Sequence, residues 1–257
     1  MSYALAFARS FSTEVLKTRR TLAVWSTLLA PLFVVALTFA TGLRRFADVT
    51  SYAGNPWVAY AADMYTFSTL LLLPLYIALL TYLLNALEHT SNAWKYLYVQ
   101  PIPKSAVFYS KALYALLLFT LCMAILGGLT AGSGYLLGVL RPQVPFAAWS
   151  FWEPLGRITA NIWLACLTIF SFQYVASALF KSFFVPIGIA VLATLMGAML
   201  LQWEHADKLF VCYPTMAMFE IRGVTFPKAG NYLLYGAVQA VFVIAVGEYF
   251  IRRRRAL

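Results

Sequence analysis

Six apolar runs of about twenty residues or more, at 21–43, 64–87, 113–138, 158–180, 183–203 and 231–251, decide what this chain can fold into. A helix needs about 20 apolar residues to cross lipid. In hydrocarbon every backbone donor and acceptor must be satisfied within the segment, so runs of this length read as helices. The chain has 257 residues, of which 62% are hydrophobic and only 11% charged. A soluble domain carries roughly 25% charged residues, so this chain cannot cover itself with a solvated surface. The expected fold class is an all-α polytopic membrane protein with six transmembrane helices. The fourth and fifth runs are parted only by Lys181 and Ser182, which predicts a tight hairpin. The first run exceeds the apolar core of about 7–15 residues found in a signal peptide, so it reads as a retained anchor.

The net charge of +10 would suggest nucleic acid in a soluble protein. Its placement points to topology instead. With both termini in the cytoplasm, the inner segments hold twelve Lys and Arg against Glu14 and Glu88. The outer segments hold seven Lys and Arg against six acids. That bias predicts an N-in, C-in arrangement. Glu248, inside the last run with Arg252 four residues on, reads as an ion pair near the inner interface.

Three segments outside the runs carry information. In residues 2–20, Tyr3, Ala4, Phe7, Ala8, Phe11 and Val15 share one helical face, and Arg9, Thr13, Lys17 and Arg20 lie opposite. A basic amphipathic helix of this kind is expected to lie in the headgroup plane, though a topogenic flank has the same charge. The 204–230 segment, between the last two runs, is rich in apolar residues without a run long enough to cross. It reads as short helices dipping into the outer interface, a re-entrant loop whose backbone is buried in protein or faces water.

The third segment, 88–112, is polar, basic, aromatic and proline-punctuated. Thr90 or Ser91 can cap a short helix in which Trp94, Leu97 and Tyr98 share a face, and Pro101 and Pro103 stop it. Such a face can dock in a groove on a partner or rest in the headgroup belt. The residues alone leave both readings open.

Several chemistries are missing. No G-x-x-x-x-G-K-[ST] loop is present, and His89 and His205 both lie outside the runs. Asp48, Asp63 and Asp207 are scattered rather than paired. Ionisable groups deep in the runs are nearly lacking, which argues against ion-coupled transport. The three cysteines show neither disulfide framework nor metal spacing. Gly128-xxx-Gly132 and Gly134-xxx-Gly138 allow close helix approach. Packing within the chain is the favoured reading, and a dimer face is the other. Pro31, Pro74 and Pro186, within or at the start of runs, are expected to bend their helices.

The ordered set Glu14-Val15-Leu16-Lys17-Thr18-Arg19-Arg20, Pro31, Glu88-His89, Trp94-Lys95, Pro101-Ile102-Pro103 and Lys111, with the span layout, resembles the permease subunits of ATP-binding-cassette type 2 (ABC-2) exporters. The likeness is greatest to the branch of bacitracin-resistance and lantibiotic-immunity permeases. Lys104 after the prolines departs from that pattern, keeping the charge but not the guanidinium of an arginine. The resemblance implies one transmembrane domain over 1–257 in the bacterial cytoplasmic (inner) membrane, with no ATPase site or cofactor of its own. ATP and Mg would sit on a separate ABC ATPase subunit, and the permease would pair with a second copy or a paralogue. It implies that residues 1–20, with Phe7, Phe11, Glu14, Lys17 and Arg20, form a connecting helix. Glu88, Trp94, Lys95, Leu97, Tyr98, Pro101, Pro103 and Lys111 would form the ATPase-coupling loop. The second and fifth spans would line a path for a hydrophobic or amphipathic substrate such as a peptide antibiotic or lipid. A membrane scaffold or assembly factor that does not transport is the alternative, since it too would carry a docking loop and no catalytic residues.

Overall fold

Every regular element among the described residues is helical in the computed structural model, which describes residues 2–46, 54–90, 103–223 and 231–253. The helices are α1 (Tyr3–Thr18), α2 (Leu22–Arg45), α3 (Pro56–Phe67), α4 (Leu73–Thr90), α5 (Lys104–Leu140), α6 (Trp152–Leu179), α7 (Phe184–Met199), α8 (Tyr213–Ile221) and α9 (Tyr232–Arg253). A π-helical segment, Ser68–Leu72, joins α3 to α4. Five helices are long and apolar enough to span, α7 among them with the 3-10 turn that carries it on to Gln202, and α3 with α4, bent by 49°, is the candidate for a sixth, broken span. The fold class is therefore that of an all-α polytopic membrane protein.

Local chemistry explains the starts and stops. Ser2 caps α1 by accepting from the Leu5 amide at 3.4 Å. Asn55 caps α3 by accepting from the Trp57 amide at 3.0 Å, and Pro56 takes the first helical position, where its missing N–H costs nothing. Between α1 and α2 the chain turns at Arg19–Thr21, and Thr21 returns both its amide and its hydroxyl to the Thr18 carbonyl, each at 2.9 Å.

Two spans differ from the sequence expectation. The second begins at Pro56, not 64, so Asp63 stands inside a helix. Pro74 lies just past the π segment, where it removes a backbone donor, and this is where the span bends; α2 by contrast continues through Pro31. The third span is the 37-residue α5, which rises about 55 Å against an apolar bilayer thickness of about 30 Å. Pro103–Lys111, expected within a loop, is therefore the cap and first two turns of this helix.

The core runs along α6, the most buried span. Near the Leu140 end of α5, Trp57 packs edge-to-face on Phe146 with centroids 5.0 Å apart. Its indole Nε1 donates to the carbonyls of Phe146 and Trp149 at 3.0 and 3.2 Å. Tyr65 and Thr159 hydroxyls meet at 2.5 Å, and Thr27 and Tyr76 at 2.8 Å. Thr168 Oγ1 donates to the Gly236 carbonyl at 2.7 Å, joining α6 to α9. Gly134 and Gly138 are filled by Trp57 and Phe146 of the same chain, whereas Gly128 and Gly132 face open space. The two glycine pairs, alike in sequence, thus divide, with only the second packing internally. The short α8 is lodged against the bundle, with Tyr213 through Met218 buried.

Candidate functional site

The first helix docks on α5 through a stripe the amphipathic pattern does not emphasise. Ala6, Ser10, Glu14 and Thr18, four residues apart, are the buried residues of α1. A stripe at i, i+4, i+8 faces one neighbour. Opposite stand Ser110, Lys111 and Tyr114, all buried. Ser110 Oγ donates to Ser10 Oγ at 2.8 Å. Thr18 Oγ1 and the Tyr114 hydroxyl are 2.6 Å apart.

Between these two contacts lies an ion pair. Lys111 Nζ is 3.3 Å from Glu14 Oε2, and both residues are 1% exposed. Lys17 Nζ, one turn along α1, is 3.3 Å from the other carboxylate oxygen. The Lys111 ammonium also donates to the backbone carbonyl of Leu84 in α4 at 2.9 Å. One buried ammonium therefore ties together α1, α4 and α5. Burying two charges costs several kcal/mol per ion unless each is paired and hydrogen-bonded; here the two ions pair, Lys17 donates to Glu14 Oε1 and Lys111 to the Leu84 carbonyl, while Glu14 Oε2 accepts no hydrogen bond among the described residues.

The surroundings continue the polar seam. Tyr174 of α6 donates its hydroxyl to the Phe108 carbonyl at 2.7 Å. Asn85 Nδ2 donates to Ser177 Oγ at 2.8 Å and to the Thr81 carbonyl at 3.0 Å. Thus α4 and α5, on either side of segment 91–102, are each fastened to α6 as well as to each other.

The residues expected to form the site are distributed as follows. Glu14 and Lys111, assigned by the resemblance to two separate elements, are in direct contact. Pro103 sits at the cap of α5, its carbonyl accepting from the Ala106 amide at 2.9 Å. Phe7 and Phe11 are half-buried, and Phe11 meets Tyr114 edge-on with centroids 6.0 Å apart. The aromatic stripe is thus partly turned toward protein; Tyr3, Leu5, Val15 and Leu16 are the exposed apolar side chains of α1. Arg20 is exposed between α1 and α2. Glu88 lies one turn beyond Leu84 on α4, and its side chain is outside the described residues, as are Trp94, Lys95, Leu97, Tyr98 and Pro101.

Ser10, Thr18, Ser110 and Tyr114 were not foreseen. The four-residue spacing of small and polar residues in α1 was the available signal, and the larger aromatic residues beside it masked it.

No curated protein and no solved structure matches the chain. The family model of the ABC-2 family transporter proteins matches residues 10–197, from Ser10 on the docking stripe through to α7. That match takes in the seam, the broken span and five of the six candidate spans, and the chain belongs to the ABC-2 family of transporter proteins.

Proposed function

We propose that this protein is the permease subunit of an ATP-driven exporter, and that a separate ABC ATPase drives it through the segment between α4 and α5. Family membership supplies the class. The observation that carries the coupling is the Lys111 ammonium, which joins Glu14 of α1 to the Leu84 carbonyl of α4 from the base of α5. A push on segment 91–102 reaches α4 and α5 directly, and through Glu14 it reaches α1 too. Three helices then move as one body, as a rocking mechanism needs.

In this reading α1 is the connecting helix, and Trp94, Leu97 and Tyr98 present the apolar face that docks on the ATPase. ATP and Mg bind on that partner. Both termini face the cytoplasm across a bacterial inner membrane. Two permease copies, or this chain and a paralogue, complete the transporter. The broken span α3–α4 and α7 line the path. The substrate is hydrophobic or amphipathic, a peptide antibiotic or a lipid, in keeping with the resemblance to bacitracin-resistance and lantibiotic-immunity permeases.

The test is co-purification followed by turnover. A tagged chain should bring down an ABC ATPase in near-equal amount, and adding the permease should stimulate that ATPase. Trp94→Ala should abolish the stimulation while membrane insertion stays normal. A Trp94→Ala protein that stimulates hydrolysis as well as the parent would overturn the coupling role, and absence of any ATPase partner would favour the scaffold alternative.

A further inference from the structure

At the end of the bundle away from Glu14 and Lys111 lies a second charged cluster. Arg45 closes α2, Asp63 stands in α3, and Arg222 follows α8. Arg45 Nη1 pairs with Asp63 Oδ2. Arg222 Nη2 lies 3.4 Å from Asp63 Oδ1 and donates to Thr66 Oγ1 at 3.0 Å. Arg45, Asn55, Asp63 and Arg222 border a cavity of about 530 Å³.

Among the described residues the charges on this cavity do not balance. Among the described residues its wall carries two guanidinium groups and one carboxylate, leaving one positive charge over. Each guanidinium presents five N–H donors, and a carboxylate offers about four acceptor sites. Asp63 therefore cannot saturate both arginines. Its hold on them is also weak. The side chains of Arg45, Arg222 and Asp63 are 54%, 45% and 29% exposed, and exposed ion pairs contribute about 0–1 kcal/mol. An incoming anion can compete for both arginines at small cost.

Depth identifies the class of anion. The 24 residues of α2 rise about 36 Å, and only the last two, Arg44 and Arg45, are charged. Arg45 thus emerges where the apolar thickness of a bilayer gives way to headgroups. The planar fork of arginine matches the oxygens of a phosphate and binds them in pairs. We propose that the Arg45–Arg222 cavity binds a phosphate group of net negative charge, free or as the monoester headgroup of an acidic lipid, Asp63 acting as the internal stand-in that the ligand displaces.

The experiment uses the purified full chain in a nonionic detergent. Thermal unfolding is followed while dihexanoyl phosphatidic acid, inorganic phosphate or dihexanoyl phosphatidylcholine is added. The acidic lipid should raise the midpoint saturably, and salt should weaken the effect. Arg45→Gln/Arg222→Gln should raise the half-saturating concentration about tenfold or more. Asp63→Asn should lower it severalfold, since the competing carboxylate is gone; a purely structural ion cluster would give no such gain. If the double variant does not fold, Arg45→Gln and Arg222→Gln alone should each weaken the response severalfold. Inorganic phosphate acting at the same concentration as the lipid identifies a free phosphate site, and action by the lipid alone identifies a headgroup site. An equal response to phosphatidylcholine, an unchanged response in the arginine variants, or no tightening in Asp63→Asn would overturn the proposal.

Discussion

The ammonium of Lys111 stands 3.3 Å from Oε2 of Glu14, inside a contact that leaves both residues 1% exposed. The two side chains come from helices separated by two spans in the sequence. A buried pair of this kind contributes little over an apolar replacement of the same volume, but losing one partner strands the other charge. Glu14→Gln or Lys111→Met alone should therefore destabilise the protein by about 3–5 kcal/mol. Glu14→Leu/Lys111→Met together should recover most of that loss. Midpoints of thermal unfolding in detergent measure both effects. Single and double variants that melt alike would show that the pair is not coupled.

The same relationship separates stability from coupling. If Lys111 serves only to hold the helices together, the apolar double variant should support ATPase stimulation as well as the parent. If the polar joint itself must shift during turnover, that variant should fold normally and stimulate poorly. Stimulated hydrolysis measured beside the melting midpoint distinguishes the two.

The glycines give a sharper steric contrast. A Cβ added at Gly197 would lie 2.1 Å from the Val211 carbonyl oxygen, and that neighbour is backbone. Gly197→Ala must push α7 off the segment leading into α8, at a cost of about 1–3 kcal/mol or more. At Gly132 an added Cβ meets nothing within 4 Å, and Gly132→Ala should be neutral or slightly stabilising, since it raises helix propensity. The yield of monodisperse protein after extraction reads out the difference. Equal yields would contradict the close approach at Gly197.

Trp57 is a third point of leverage. Its ring fills the space Gly134 leaves, and its indole serves the carbonyls of Phe146 and Trp149. Trp57→Phe keeps an aromatic ring but strips a donor from two carbonyls. The expected cost is about 1–3 kcal/mol for the lost donor, with a further loss from the smaller ring, seen as a lower melting midpoint.

The spans were legible in sequence because hydrocarbon allows so few alternatives. A run such as 231–251 has little choice but helix, and α9 covers Tyr232–Arg253. What composition could not show was how helices continue past lipid. Lys104 through Ser110 read as loop because charge and Pro103 interrupt the apolar run, yet proline at a helix cap starts a helix rather than ending one. The site was legible by residue and not by partner. Glu14 and Lys111 were both singled out, but only tertiary packing brings together positions so far apart. The buried face of α1 was misjudged for a related reason. Hydrophobic periodicity points to the face that seeks apolar surroundings, whereas α1 docks on α5 through hydrogen bonds of Ser10 and Thr18 and the ion pair of Glu14.

Cys212, immediately before α8, gives a prediction that depends on pH. Its thiol is fully buried, and burial pushes its pKa up to about 11. An unperturbed thiol titrates near 8.5, so at pH 8 the folded protein should hold only about one thiolate per thousand at this site. The folded state keeps the proton where the unfolded chain releases it. Stability from this group is thus fully present below about pH 8.5 and declines as pH rises toward 11. In a Cys122→Ala/Cys166→Ala background, a membrane-permeant maleimide should label Cys212 hundreds of times more slowly at pH 8 than it labels the same protein unfolded in detergent and urea. Labelling should accelerate steeply as pH approaches 11, with a parallel fall in the melting midpoint. Fast, stoichiometric labelling of the folded protein at pH 8 would place this cysteine at the surface and remove the lodging of α8 that its burial reflects.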